Sequence, residues 1–98
     1  MGKLTVYCDE GDPMMKALRQ VAVLIRPGRA PIGAGTFWAY LRQKGFWVTD
    51  SSTPTNVPAV ETPEAKKVGE DFAAGVLRSA FTGHLIKRDS GTGLYYVT

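Results

Sequence analysis

Residues 77–98, LRSAFTGHLIKRDSGTGLYYVT, decide the fold that this sequence predicts. A helix is expected to end at Gly83, because glycine commonly terminates helices. Residues 85–88 and 94–97 have the apolar and aromatic composition of short strands, and the glycine-rich residues 89–93 between them fit a turn. The sequence therefore predicts a helix that leads directly into a β-hairpin.

The helix before this hairpin has a clear start. Thr62 can accept hydrogen bonds from the first-turn amides, and Pro63 suits the first helical position. Apolar residues then recur every four positions, which predicts one buried face. They are Val68, Phe72, Val76 and Ala80. Gly69 and Gly75 each lower the stability of this helix by about 1 kcal/mol relative to alanine. Their presence therefore indicates close packing at these positions.

Two further helices are predicted in the first half of the chain. Asp12 and Pro13 repeat the pattern of a capping side chain followed by proline. The apolar face of this first helix comprises Met14, Leu18, Val21 and Ile25. The helix is expected to end before Pro27. Thr36 is predicted to cap a second helix that stops at Gly45.

Four segments lie outside these helices. Residues 1–12 are predicted to be a short N-terminal strand or arm, because apolar residues alternate along part of them. Residues 29–32 are expected to be extended, since a residue before proline avoids helical backbone. Residues 46–48 either cover the core or begin a strand. Residues 49–61 have no period and are predicted to form a loop that is long for one small domain of 98 residues.

The order of helix, short extended stretch, helix, helix and hairpin resembles that of winged helix-turn-helix domains over residues 13–98. Residues 83–98 are similar to that family's pattern. In order, they contain a glycine, an aliphatic pair, a basic residue, a turn glycine, an aromatic residue and a closing threonine. The resemblance implies an α+β fold, in which a three-helix winged-helix-like domain carries a C-terminal β-hairpin wing at residues 84–98. It also implies that residues 29–32 pair with the wing. Residues 46–61 depart from the family, which normally joins its last two helices by a tight turn.

The resemblance further implies a small non-catalytic protein that binds double-stranded DNA, as a transcriptional regulator or an accessory factor. The DNA contacts that it implies are Lys66, Lys67 and Arg78 on the third helix, Lys87, Arg88 and Thr92 on the wing, and Arg26, Arg29 and Arg42 in the first half. The amides of residues 33–36 would offer further contacts to phosphate.

Charge is unevenly distributed along the chain. Residues 13–49 carry six cations and no acid, whereas residues 1–12 and 50–71 are net acidic. Two interpretations fit this distribution. The cations either form a positive surface that attracts phosphate, or neutralise the acidic segments within the folded domain.

A second function fits the same sequence, namely a winged-helix-like protein–protein interaction module that does not bind DNA. Its contact surface would comprise residues 49–61, exposed aromatic side chains, and the third helix, whose exposed face mixes cations with Glu70 and Asp71. The expected partner is an acidic protein or a second copy of the chain. Charge reversal at Lys87 and Arg88 distinguishes this module from a DNA-binding protein.

The aromatic residues Trp38, Trp47, Tyr95 and Tyr96 also admit two interpretations. They form a stacking platform for single-stranded nucleic acid, or they pack in the core. Alternation along the last strand places Tyr95 and Tyr96 on opposite faces, so we expect one of them to be exposed.

Several classes of protein are disfavoured. The single cysteine, Cys8, excludes an internal disulfide, and the single histidine, His84, leaves no Cys/His zinc site in a monomer. We expect Cys8 to be buried apolar filler and His84 to be structural. No paired acid and base or activated nucleophile is evident, so we expect no enzymatic activity, cofactor or metal. Neither a membrane span nor a signal peptide is recognisable, and we therefore expect a cytoplasmic protein.

Overall fold

Seven helices and strands follow one another in a computed structural model that describes residues 3–52, 55 and 57–98. In chain order they are β1 Leu4–Cys8, α1 Pro13–Leu24, α2 Ala34–Gln43, β2 Phe46–Asp50, α3 Pro63–Thr82, β3 Lys87–Arg88 and β4 Tyr95–Tyr96. Among the described residues, three helices and a C-terminal hairpin thus make the α+β fold that the sequence predicts.

The N-terminal segment forms a strand rather than a free arm. β1 pairs antiparallel with β2, with Val6 opposite Val48, and both valines are buried. β2 extends to Asp50, so the predicted loop at 49–61 begins two residues later than expected. Thr53, Pro54 and Asn56 of that loop lie outside the described residues.

The predicted starts of two helices are confirmed. Asp12 Oδ1 accepts a hydrogen bond of 2.9 Å from the Met14 amide at the start of α1. Thr62 Oγ1 accepts one of 3.1 Å from the Ala65 amide at the start of α3. Both caps satisfy amides that have no partner within their helix.

The predicted start of the second helix is wrong. α2 begins at Ala34, preceded by Gly33 without a side-chain cap, and Thr36 is an exposed residue inside the helix. The Gly33 carbonyl already accepts the Phe37 amide at 3.0 Å. The helix can start early because extended Gly33 leaves room for the Leu94 side chain, which a methyl group at that position would approach to 3.0 Å.

The core centres on the contact between α2 and α3. Trp38 is only 1 % exposed, and its indole lies so close to Gly69 that a methyl group there would overlap the ring. Gly69 therefore has the close packing that its place in the helix indicates. Gly75 does not, because nothing lies within 4 Å of the position that its methyl group would occupy. Met14 is also outside the core at 37 % exposed, and Ala17 takes the buried position on α1.

The hairpin is joined to the residues before α2 by an isolated β-bridge between Ile32 and Tyr95. Lys87 pairs with Tyr96 and Arg88 with Tyr95, so the strands are shorter than the predicted 85–88 and 94–97. Ile32 and Tyr95 exchange two backbone hydrogen bonds of 2.9 and 2.8 Å. This is the pairing that the winged-helix resemblance implies for residues 29–32.

Candidate nucleic-acid interface

The end of α3 and the hairpin enclose a cleft of about 640 Å³, here named the hairpin cleft. It is lined by Phe81, Thr82, His84, Ile86, Lys87, Arg88 and Tyr96. Two cations and no carboxylate are among these side chains. The cleft therefore favours an anion over a cation on electrostatic grounds.

The backbone at the end of α3 determines how this cleft is shaped. The Leu85 amide donates to the Ala80 carbonyl at 2.9 Å, and the His84 amide donates to the Phe81 carbonyl at 3.0 Å. This pair of bonds is a Schellman motif, whose left-handed position is usually glycine. His84 occupies that position with φ of 63°, whereas Gly83, the predicted helix stop, has an ordinary φ of −81°.

Lys87 and Arg88 have neutral partners. Lys87 Nζ donates to the Thr98 hydroxyl at 3.0 Å, and the Arg88 guanidinium lies 6.0 Å from the centre of the Tyr95 ring. Within the part of the chain that the structure describes, neither cation is in an ion pair. Both side chains can therefore pair with a bound anion without breaking an internal salt bridge.

The polar residues of the hairpin tip shape the turn. Asp89 Oδ1 accepts the Gly91 amide at 2.9 Å, and the Asp89 carbonyl accepts the Gly93 amide at 2.7 Å. The Thr92 hydroxyl accepts the Leu94 amide at 3.2 Å. Thr92 is nonetheless exposed, so it reaches solvent at the tip, as the sequence predicts.

Arg78 lies beside the hairpin cleft. It is exposed and stands three and four residues before Phe81 and Thr82, which line the cleft. Residues at these spacings are neighbours on a helix surface. Arg78 therefore lies about one helical turn from the α3 residues of the cleft, and it is not itself among the residues that line it.

Lys66 and Lys67 lie at the opposite end of α3. Lys67 precedes Arg78 by eleven residues, which is roughly 16 Å along a helix axis, and exposed Asp71 lies between them on the same face. Lys66 lines a different cavity, of about 400 Å³, beside α2. The third helix therefore does not present its three predicted cations as one surface.

Arg42 is already paired. Its guanidinium lies 3.5 Å from Glu61 Oε2, and the same oxygen accepts a 2.7 Å hydrogen bond from the Trp38 indole. Lys16, another cation of residues 13–49, pairs with Asp9. Both ion pairs join residues 13–49 to an acidic flanking segment. Two cations of this basic segment are therefore neutralised within the domain.

The start of α2 also differs from the prediction. A methyl group at Gly35 would lie 3.2 Å from Glu70 Oε2, so a carboxylate stands against the first turn of this helix. The partial positive charge of a helix N-terminus favours such a carboxylate. A phosphate at residues 33–36 would meet the repulsion of Glu70.

Arg26 and Arg29 lie in the turn after α1, where the Arg29 amide donates to the Arg26 carbonyl at 3.1 Å. Both are exposed, and neither is in an ion pair with another described residue. Arg26 lines an apolar cavity together with Leu85 and Val97. Neither arginine lines the hairpin cleft.

The predicted aromatic platform is not assembled. Trp38 is buried, Trp47 is half-buried in β2, and the half-buried Tyr95 ring packs 6.1 Å from Phe81. Tyr96 is also half-buried, on the face of the hairpin opposite to Tyr95. Packing within the domain accounts for most of these rings.

The remaining candidates are structural. Cys8 is half-buried rather than buried, and its thiol donates to the Glu10 carbonyl at 3.0 Å. The described residues contain no cluster of side chains that could hold a metal ion. No helix among them is both long and apolar enough to cross a bilayer.

Five residues that line the cleft are not among the DNA contacts that the resemblance implies, namely Phe81, Thr82, His84, Ile86 and Tyr96. Phe81 is 41 % exposed, although it ends the apolar stripe of α3. His84 directly follows Gly83, at which the helix is expected to end. Either of these two residues can take the single left-handed position at the helix end. The local sequence favours Gly83, because glycine usually takes this position, and only the fold shows that His84 takes it.

Comparison with protein-family models, curated protein sequences and solved structures gives no match for this chain. A functional inference therefore rests on the chain's own geometry. The feature with the clearest chemistry is the hairpin cleft, which Lys87 and Arg88 line and which Arg78 adjoins along α3.

Proposed function

We propose that this protein binds double-stranded DNA without catalysis, as a winged-helix-like domain that contacts phosphates through the hairpin cleft. The observation that carries the proposal is the position of Lys87 and Arg88. Both line a cleft without carboxylates, and neither is in an ion pair within the described residues. Such a protein would serve as a transcriptional regulator or an accessory factor.

The end of a helix is an unusual place for a phosphate, and the local charges explain why it is favourable here. Helix C-termini carry partial negative charge, which repels anions. The last carbonyls of α3 already accept hydrogen bonds from Gly83, His84 and Leu85. Lys87, Arg88 and Arg78 then supply the positive potential that attracts a phosphate backbone.

His84 supports a functional rather than a purely structural cleft. A non-glycine residue in the left-handed region costs about 1–2 kcal/mol, and such positions cluster at functional sites. Glycine would fill the same place at less cost, yet the chain has an imidazole there that lines the cleft. We expect this ring to contact the nucleic acid beside Lys87.

The footprint covers the second half of α3 and the hairpin. Asp71 faces outward between Lys67 and Arg78, and its carboxylate would repel a phosphate along the first half of the helix. Lys67 is therefore a peripheral contact. Since phosphate contacts position a protein but do not specify a sequence, these cations account for affinity and not for the choice of site.

The proposal is tested by neutralising the cleft. We expect Lys87→Gln/Arg88→Gln to weaken binding to a random duplex at low salt at least about tenfold, because two phosphate contacts are lost. Fluorescence anisotropy measures the affinity, and circular dichroism checks that the fold is retained. Lys3→Gln is the matched control, since exposed Lys3 lies outside the cleft. Equal affinity of wild type, control and double variant would overturn the proposal.

A further inference from the structure

A second concave surface lies on the other side of the hairpin, between it and α1. This cavity of about 410 Å³, here named the α1 groove, is lined mainly by apolar side chains. They include Leu18, Ala22, Pro27, Leu85 and Val97, with Arg26 at the rim. Its volume is within the range of pockets that recognise ligands, roughly 300–1,000 Å³.

Part of the apolar lining of the α1 groove is presented to solvent. Leu85 is 65 % exposed, although residues at its place in a Schellman motif usually pack against their own helix. The backbone bond from its amide to Ala80 fixes it in this position. Exposure of a leucine side chain to water is unfavourable in free energy. A partner protein that buries this leucine would therefore gain binding free energy.

The apolar surface continues along α1. Met15 is 54 % exposed, and Met15, Leu18 and Ala22 are three and four residues apart, so they share one face of the helix. This stripe leads from the start of α1 into the groove. Its shape, a straight row beside a depression, is that of a surface on which an amphipathic helix lays its apolar face.

The charges around the groove are positive. Arg26 is the one ionisable residue that lines it, Arg29 follows in the same exposed turn, and exposed Arg19 stands one helical turn before Ala22. None of these three arginines is in an ion pair with any residue that the structure describes. The nearest acids along α1, Glu10 and Asp12, lie beyond its far end and line a separate cavity with Arg19.

We propose that the α1 groove binds an amphipathic helix of a partner protein, with leucine-like side chains on one face and acidic residues beside them. The apolar lining would bury the hydrophobic face, and Arg26 with Arg19 would pair with the flanking carboxylates. A second copy of this chain is a poorer occupant. A two-fold pairing of grooves would bring Arg26 and Arg19 of both copies into one interface without compensating acids.

This site is separate from the hairpin cleft. Lys87 and Arg88 line the cleft, whereas residues of α1 together with Leu85 and Val97 line the groove. Buried Ile86 forms the floor of both. The two linings have only Ile86 in common, so substitutions of their other residues can test the two surfaces separately.

Two helical peptides of the same length test the proposal. Both carry leucines at i, i+4, i+7 and i+11 on an alanine background, and one has glutamates beside the leucines where the other has lysines. We expect the acidic peptide to shift the backbone amide NMR signals of Ala22, Leu85 and Val97 in the 15N-labelled protein. The lysine peptide should bind about tenfold more weakly. Shifts confined to other surfaces, no shifts at millimolar peptide, or preference for the lysine peptide would overturn the proposal.

Two variants separate charge from apolar contact. Arg26→Glu should reverse the preference between the peptides, and Leu85→Ser should weaken both about tenfold, as loss of a central apolar contact does. Because Leu85 is exposed, its substitution leaves the core intact. DNA affinity should not change in Leu85→Ser, so failure here is distinguishable from failure of the proposed function. Self-association that vanishes in Leu85→Ser would instead identify a second copy as the occupant.

Discussion

Two glycines of α3 have opposite expected effects when replaced by alanine. At Gly69 a methyl group would overlap the buried Trp38 indole, and overpacking of this kind costs about 1–3 kcal/mol. At Gly75 the methyl group would meet nothing within 4 Å, so Gly75→Ala should stabilise the helix by about 0.5–1 kcal/mol. Urea unfolding followed by circular dichroism measures both. A destabilising Gly75→Ala or a neutral Gly69→Ala would contradict this packing.

The end of α3 makes a second residue-level prediction. His84 has φ of 63°, so His84→Gly should raise stability by about 0.5–1 kcal/mol, because glycine adopts this backbone without strain. Gly83 has φ of −81°, and Gly83→Ala should remain within about 0.5 kcal/mol of wild type. Thermal unfolding compares them. The reverse order, a harmful Gly83→Ala and a harmful His84→Gly, would place the left-handed residue at Gly83 instead.

At the scale of elements, one ion pair ties β1 to α1 and to the turn before β2. The Lys16 ammonium donates to Asp9 and, at 2.7 Å, to the Lys44 carbonyl, and it lies 5.2 Å from the centre of the Phe46 ring. Gly45, with φ of 90°, leaves room for the Asp9 carboxylate. The Asp9 carboxylate thus connects the residue after β1 to α1.

The protonation of Asp9 should therefore influence acid stability. The hydrogen bond from Lys16 is the main cause that lowers the Asp9 pKa below its ordinary value of 3.8. A lowered pKa in the folded state stabilises the protein above pH 3.8, and this stabilisation is lost as pH falls through the lower folded value. We expect wild type to lose stability below pH 4 more steeply than Asp9→Asn, which urea unfolding at several pH values measures. Parallel pH profiles would show that the pair contributes nothing.

The elements that could be predicted are those with local signals. Asp12 and Thr62 cap their helices through amides only two or three residues away, so the sequence contains the whole interaction. At the start of α2, Leu94 lies close to Gly33, and such a contact between distant parts of the chain has no local signal. The partner of β1 could not be derived for the same reason, since its alternation predicts a strand but not that Val6 lies opposite Val48.

For the whole molecule, the sequence supplies the cations but not their partners. By sequence alone, Arg42 and Lys87 are equally good candidates for a DNA contact. The fold places the Glu61 carboxylate beside Arg42 and the Thr98 hydroxyl beside Lys87. Lys66 and Arg78 lie on one helix, yet they line or adjoin different cavities. Of the predicted DNA contacts, Lys87 and Arg88 line one cleft, and Arg78 stands about one helical turn before its α3 residues.

The salt dependence of DNA binding is the sharpest test of a phosphate-binding hairpin cleft. If Arg78, Lys87 and Arg88 neutralise three phosphates, the logarithm of the binding constant should fall with the logarithm of the salt concentration at a slope of roughly −2.7. Anisotropy titrations from about 20 to 200 mM salt on a random duplex give this slope. It should decrease in magnitude to roughly −0.9 in Lys87→Gln/Arg88→Gln and stay unchanged in Lys3→Gln. No binding at the lowest salt, or a slope that the double variant does not change, would contradict a phosphate-binding cleft.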